Sequence, residues 1–204
     1  MIKKIYDIFQ KREAKLLGNY RKTAVTILID DRGEKENIIF EVRAYTLKHQ
    51  PGDVALPGGK VESEEMPKEA AIRETMEELN LKKEDFEVIG NMDYFITPYG
   101  TIIYPFIGRL KGEIEEPNRA EVEKVFKVPV EFFLNTEPLL YSMEIGPTNR
   151  EGFPYHLIEG GDKYKFSKGK VDEYFYKYEE YVIWGFTAMI IKGFVDIIKK
   201  NRYE

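Results

Sequence analysis

The stretch Gly59-Lys60-Val61-Glu62-Ser63-Glu64-Glu65-Met66-Pro67-Lys68-Glu69-Ala70-Ala71-Ile72-Arg73-Glu74-Thr75-Met76-Glu77-Glu78-Leu79-Asn80-Leu81 decides how this chain is read. Pro67 suits a helix start, because its missing N–H would have had no intrahelical partner. Asn80 suits a helix end, because Asn tolerates the left-handed conformation used there. A helix over Pro67 to Leu79 follows. At about 100° per residue, Glu77 lies about 60° to one side of Glu74 and Glu78 about 40° to the other. Ile72, Met76 and Leu79 fall together on the opposite side, so one face is expected to pack while the other gathers negative charge.

Carboxylates at these spacings repel by about 0.2–0.5 kcal/mol per pair. A cation removes that penalty, and hard carboxylate oxygens select Mg²⁺, Mn²⁺ or Ca²⁺ over Zn²⁺. The same residues also read as a solvated helix face, with Arg73 bonded to Glu77 one turn on. Just upstream, Pro57-Gly58-Gly59 follows a strand-like Val54-Ala55-Leu56. Glycines there either form a tight turn or let the backbone approach a phosphate and turn a carbonyl toward a metal.

At these residues the sequence resembles the Nudix hydrolase family, whose signature is Gly, five residues, Glu, seven residues, then Arg-Glu-(apolar)-x-Glu-Glu-x-Gly-(apolar). Gly59, Glu65, Arg73, Glu74, Glu77, Glu78 and Leu81 fall on it, while Thr75 takes an apolar slot and Asn80 replaces the last glycine. The resemblance implies a Nudix-type α/β/α sandwich with a mixed β-sheet, and Mg²⁺ or Mn²⁺ as cofactor. It implies Glu74 and Glu78 as principal metal ligands, Glu77 as a further ligand or the base, and the Gly58 carbonyl completing the site. Arg73 would orient the glutamates and Glu65 would brace the loop. Some family members recruit a base outside the signature, and Glu121 is the candidate here.

A second resemblance flanks the first. The coenzyme A pyrophosphatases of the family carry a segment running approximately Arg-Ser-x-x-Leu-Arg-x-His-x-Gly-x-Val-x-Phe-Pro-Gly-Gly, and this chain matches it at Arg43, Leu47, Gly52, Val54 and Pro57 to Gly59. Lys48 keeps a positive charge where the pattern has Arg, whereas Gln50 stands at the histidine position and His49 one residue early. Ile183-Trp184-Gly185-Phe186-Thr187-Ala188 fits a helix typical of that group, and Phe153-Pro154-Tyr155-His156 resembles another of its segments. Taken alone, Trp184 would be a core residue and His156 a hydrogen-bonded structural histidine.

The implied substrate is a nucleotide diphosphate, with coenzyme A split to 3′,5′-ADP and 4′-phosphopantetheine. Arg43, Lys48 and Gly59 are then the substrate-binding candidates. Another nucleoside diphosphate derivative, such as ADP-ribose or a dinucleotide, is the alternative substrate. A catalytically silent nucleotide-binding domain is the alternative function, though the complete set of signature carboxylates argues against it.

Around this centre, apolar residues at helical spacing predict a short amphipathic helix over 2–17 that packs outside the main sheet. Thr23 to Ile29 and Ile38 to Ala44 read as paired strands across an Asp30-Asp31-Arg32-Gly33 turn. Further strands are expected at Phe86–Ile89, Ile102–Leu110 and Leu139–Ile145, and a largely buried helix at 179–199. The expected organisation is one domain over 1–204, with an N-terminal helical extension at 1–20 and a C-terminal helix at 179–199.

The chain has 204 residues, enough for one domain with a substantial core. Hydrophobic residues make up 43%, too many for a disordered chain. With 31 basic against 36 acidic residues, no face dominated by Lys and Arg is expected and binding to a nucleic-acid backbone is not. The absence of cysteine excludes disulfides and thiolate chemistry and fits a reducing cytoplasm. Neither a signal-peptide run nor a stretch long enough to span a bilayer is found, so no membrane partner is expected. A homodimer is left open.

Overall fold

The fold is described from a computed structural model, for residues 1–148 and 150–201. In chain order the elements are α1 (Ile2–Phe9), β1 (Arg21–Asp30), β2 (Asn37–Arg43), β3 (Val54–Ala55), β4 (Gly58–Lys60), α2 (Pro67–Leu79), β5 (Phe86–Asn91), β6 (Phe95–Ile96) and β7 (Thr101–Leu110). They are followed by β8 (Val122–Pro129), α3 (Val130–Asn135), β9 (Leu139–Ile145), β10 (Gly169–Tyr178), β11 (Tyr181–Trp184) and α4 (Gly185–Asn201).

Among the described residues, β1 to β8 form one mixed sheet along the path β3-β2-β1-β7-β5, with β4 pairing β1, β6 pairing β7 and β8 pairing β2. The β1–β7 pair is parallel and the other pairs are antiparallel. Side chains alternate across a strand, so each strand serves two faces. Ile27, Ile38, Phe40, Val42 and Ile103 point to one face, where they pack with Phe133 of α3 and Ile190, Ile191, Phe194 and Val195 of α4. Ala24, Leu28, Ile39 and Phe106 point to the other, against Ala70, Ala71 and Leu79 of α2. Helices thus cover both faces of a mixed sheet, the expected α/β/α sandwich. A smaller sheet, β11-β10-β9, adds Tyr176 and Ile183 to the α4-side cluster.

Between β2 and β1 the sheet forks. β1 pairs β2 at Leu28↔Ile39 to Asp30↔Asn37, but its earlier residues pair β4 instead, at Thr23↔Lys60 to Val25↔Gly58. The freed part of β2 pairs β3 at Glu41↔Ala55 and Val42↔Val54. The segment Leu56-Pro57 crosses the fork, with the Thr26 N–H donating to the Pro57 carbonyl at 2.8 Å. Gly58 is required in this crossing, since its φ is +153° and an added Cβ would collide with the Ala24 carbonyl oxygen.

Three expectations are corrected. The N-terminal helix ends at Phe9, not at 17; none of its residues is buried, so it lies off the main sheet as expected. An isolated helix this short lacks the tertiary support that usually stabilises helices. The C-terminal helix begins at Gly185, not at 179. Tyr181–Trp184 instead pairs β10 after a turn in which Glu179 takes φ +52°, and Gly185, at φ +62°, starts the helix. The buried stripe of α2 is also rotated from the expected Ile72, Met76 and Leu79. Ala70, Ala71, Thr75, Glu78 and Leu79 are buried, and Ile72 and Met76 only partly. Small side chains on both sides, Ala24 on β1 and Ala70 and Ala71 on α2, let helix and strand approach there. The Thr75 hydroxyl lies 2.7 Å from the Ala71 carbonyl and 3.0 Å from the Thr26 hydroxyl, so Thr in the signature's apolar slot is satisfied without a void.

Candidate functional site

The signature residues meet where α2 passes the fork. Arg73 is the hub. Its Nε and Nη2 reach the Glu65 carboxylate at 2.9 and 3.1 Å, its Nη2 the Lys60 carbonyl at 2.9 Å, and its Nη1 Glu74 at 2.8 Å and Glu77 at 3.2 Å. Glu65 also accepts the Glu62 N–H at 2.9 Å, and with Arg73 first among the causes its carboxyl is held below the usual range. One guanidinium therefore ties the loop after β4 to two of the helix carboxylates.

Glu78 is the buried member, with 4% of its surface exposed. It accepts the Gly58 N–H at 2.7 Å. Burial pushes its carboxyl well above the ordinary range, and the neighbouring carboxylates of Glu41, Glu74 and Glu121 push the same way. Glu74 is half-buried and is also raised, mainly by burial, with Arg73 opposing. An added Cβ on Gly59 would come within 2.5–2.6 Å of the Glu74 carboxylate, so only glycine leaves that group its place. Glu77 is more exposed and is held by Arg73. The expectation of an exposed acidic face is thus corrected: Glu77 faces solvent, whereas Glu78 is inside.

Beside these residues lies a cleft of about 530 Å³, walled by Gly58, Gly59, Arg21, Arg43, Gln50, Asp53, Thr97, Tyr99, Glu173, Trp184, Phe186 and Thr187. Arg43 lines this cleft, and its Nε is buried without a hydrogen-bond partner among the described residues. Lys48 is exposed and takes no part in the wall, so the structure does not bring it to Arg43. Gln50, which replaces the pattern's histidine, lines the cleft, whereas His49 and His156 are exposed. Trp184 is 41% exposed at the cleft rather than in the core.

The donors here are carboxylate and backbone oxygens, the chemistry of a hard divalent ion. As they stand, Arg73 and the Gly58 N–H occupy them, and no three acidic or histidine side chains among the described residues are clustered closely enough to hold an ion. The residue types fit a divalent cation, and Arg73 is bonded to one oxygen of Glu74, Oε1. Glu121, just before β8, is close enough to raise the carboxyls of Glu41, Glu74 and Glu78.

Two groups escaped the sequence reading. Arg21 opens β1 and joins Arg43 in the cleft wall, while Glu41 is a charge in the middle of β2 with 1% of its surface exposed. A glutamate within the otherwise apolar run Ile38-Ile39-Phe40-Glu41-Val42 was the available signal for the second.

The NUDIX domain family matches residues 19–142. The peroxisomal coenzyme A diphosphatase NUDT7 of Mus musculus is 32% identical over 143 residues, 69% of this chain and 60% of that protein. The uncharacterized Nudix hydrolase NudL of Photorhabdus laumondii is 30% identical over 179 residues, 87% of this chain and 84% of that protein. This chain thus spans less than two thirds of the mouse relative's length. Among solved structures, a Caenorhabditis elegans Ap4A hydrolase in a binary complex superposes with a TM-score of 0.46 at 20% identity, covering 53% of this chain and 80% of that one. Among the described residues no helix is long and apolar enough to cross a membrane.

Proposed function

The chain belongs to the Nudix hydrolase family, and from that premise we propose that it is a metal-dependent hydrolase splitting the pyrophosphate bond of a nucleotide derivative, with coenzyme A as substrate. The observation that carries this reading is the meeting of a buried carboxylate, Glu78, with Gly58 at the start of β4, where Gly58 and Gly59 line a cleft together with two arginines. Coenzyme A is favoured over other diphosphates by the match around Arg43 and Pro57–Gly59, and by the name of the mouse relative.

In this reading Glu74, Glu78 and the Gly58 carbonyl hold Mg²⁺ or Mn²⁺, with Glu77 a further ligand or the base. When bound, the ion supplies positive charge for the phosphoryl oxygens and makes a water a better nucleophile. Arg73 holds Glu74 and Glu77 in place and Glu65 anchors Arg73, so that little reorganisation remains for the reacting state. Glu121 is a candidate to take the proton of the attacking water. Arg21 and Arg43 bind phosphate oxygens of the substrate, and Gly59 lets its chain pass close to the backbone. Tyr99, Trp184 and Phe186 offer aromatic faces along the same wall.

The test is mass spectrometry of the products from coenzyme A, dephospho-coenzyme A, ADP-ribose and a diadenosine polyphosphate, with Mg²⁺ or Mn²⁺ present and with chelator. Metal-dependent formation of 3′,5′-ADP and 4′-phosphopantetheine from coenzyme A, faster than turnover of the others, is expected. Faster turnover of ADP-ribose or the dinucleotide would reassign the substrate, and no turnover of any would point to a silent binding domain.

A further inference from the structure

Glu41 is a carboxylate that neither the signature nor the flanking match accounts for. On β2 it alternates with Phe40 and Val42, which face α4, and shares its side with Ile39, which packs on Leu79 of α2. Glu41 therefore points to the face that α2 covers, at the part of β2 that has left β1 to pair with Ala55. It is almost wholly buried, and neither carboxylate oxygen has a hydrogen-bond partner among the described residues. The charges it feels come from Arg43, Glu121, Glu74 and Glu78.

A buried carboxylate without a hydrogen bond is unfavourable whether ionised or not. Three explanations are physically available. Arg43, two residues along the same strand, could neutralise it, but no hydrogen bond joins them and the Arg43 Nε is itself unpartnered. A purely structural role would require a donor, and the described residues supply none. The remaining partner is a cation entering among the carboxylates, for which an unbonded, fixed oxygen pair is a prepared acceptor.

We propose that Glu41 is a metal-site carboxylate of this chain, supplied by β2 from beneath and acting with Glu78 of α2 on the same divalent ion. The inference rests on the metal-dependent reading above and extends it, since the acidic set then spans two elements instead of one helix. Its consequence is that ion binding draws β2 and α2 together at the fork of the sheet. The structure would then stiffen where Leu56-Pro57 crosses into β4.

The experiment is a titration of the full-length chain with Mn²⁺, followed by the loss of the free-ion electron paramagnetic resonance signal, for the wild type, Glu41→Gln, Glu41→Met and Glu78→Gln. Melting temperatures without metal are measured alongside. Both Glu41 variants are expected to bind Mn²⁺ at least about tenfold more weakly, in the range of about ten- to a hundredfold known for lost supporting groups at metal sites. The metal-free melting temperature should hold or rise in Glu41→Met, which keeps the volume and removes the unpartnered charge. Wild-type affinity in the Glu41 variants with weakened binding in Glu78→Gln would overturn this inference and leave the functional reading standing. A fall in the metal-free melting temperature of Glu41→Met, or its failure to fold, would also overturn it, by showing a structural role. Absence of Mn²⁺ binding in the wild type would overturn both.

Discussion

The Gly58 N–H donates to the Glu78 carboxylate across 2.7 Å, joining the start of β4, just past the fork of the sheet, to the last turn of α2. This bond places the buried carboxylate and the backbone of the glycine pair in one site, although twenty positions of sequence separate them. Each partner therefore fixes the other, and substitutions at either end should separate catalysis from stability in different ways.

Glu78→Gln keeps the volume and an acceptor for Gly58 but removes the charge. Turnover should fall by at least about a hundredfold, beyond the ten- to hundredfold typical of losing a supporting group at a metal site. Because Glu78 is buried among other carboxylates, the metal-free variant should melt no lower than the wild type. Steady-state kinetics with metal and calorimetry without it check both halves, and near wild-type turnover would remove Glu78 from the metal site.

Gly58→Ala and Gly59→Ala should differ in kind. At Gly58 the added methyl meets backbone at a positive φ, so a stability loss of about 1–3 kcal/mol is expected from the strained conformation. At Gly59 its nearest neighbours are the atoms of the Glu74 carboxylate, a side-chain end that can shift. Gly59→Ala should therefore melt close to the wild type and lose activity through a displaced Glu74. Equal melting losses in the two would contradict this.

Asn80 ends α2 with φ +50° and ψ +38°, and its amide donates to the Glu116 carbonyl at 2.8 Å. Asn80→Gly keeps the conformation and loses the bond, so activity should hold and stability fall by no more than about 1 kcal/mol. Asn80→Ala loses both and should fall further, by about 1–2 kcal/mol for the left-handed backbone alone. Chemical denaturation of the two variants gives the comparison.

Arg43 lines the cleft and Lys48 does not, which sharpens a test of substrate choice. If Arg43 meets the ribose phosphate of coenzyme A, kcat/KM for coenzyme A should exceed that for dephospho-coenzyme A by about ten- to a hundredfold, the worth of one charge-assisted contact of about 1.5–3 kcal/mol. Arg43→Ala should narrow the gap, and Lys48→Ala should leave it. A gap unaffected by Arg43→Ala would put that phosphate elsewhere.

Asp30 ends β1 bonded to the Arg32 Nε at 2.7 Å and Nη2 at 3.0 Å and to the Lys127 Nζ at 2.7 Å. The Arg32 bond, with Lys127 second to it among the favourable contacts, holds this carboxyl far below the usual carboxylate range. A folded-state value below the unfolded one means the carboxylate's stabilisation is fully present above the unfolded value of 3.8 and is lost as the pH falls toward the folded one. Asp30→Asn should therefore be less stable at neutral pH and show a flatter loss below about pH 4, where ordinary carboxylates titrate. Urea denaturation of both proteins at pH 3 to 7 measures it.

The sequence made α2 legible because its signals are local: Pro67 at the start, Asn80 at the end and a glutamate every turn. The strands from Arg21 to Arg43 were readable for the same reason, through β-branched residues on either side of a turn. The burial of Glu78 was not readable, because it depends on the crossing of Pro57–Gly58 over the fork and on the small residues Ala24, Ala70 and Ala71 that admit the helix. β8 and β10 were missed as well. Their charged and apolar residues follow no clean alternation, as in Glu123-Lys124-Val125-Phe126 and Asp172-Glu173-Tyr174-Phe175, and what makes them strands is pairing with β2 and β9, which no short window contains. Lys48 carried a charge of the right sign at a plausible spacing, and only the course of the loop shows that it turns to solvent.

The parallel β1–β7 pair, running from Arg21↔Thr101 to Ile29↔Arg109, constrains how the chain reaches its fold. The hairpin of β1 and β2 can form early from neighbouring residues, but the centre of the sheet waits for a partner made much later. Such long-range closure is slow, since the entropy of closing the intervening chain is lost before contacts return it. During synthesis, β1 must remain with one edge open until residue 110 has emerged, and α2 has no complete sheet to cover before then. The carboxylate site, which needs α2 seated on that sheet, therefore forms later than the β1–β2 hairpin at its border.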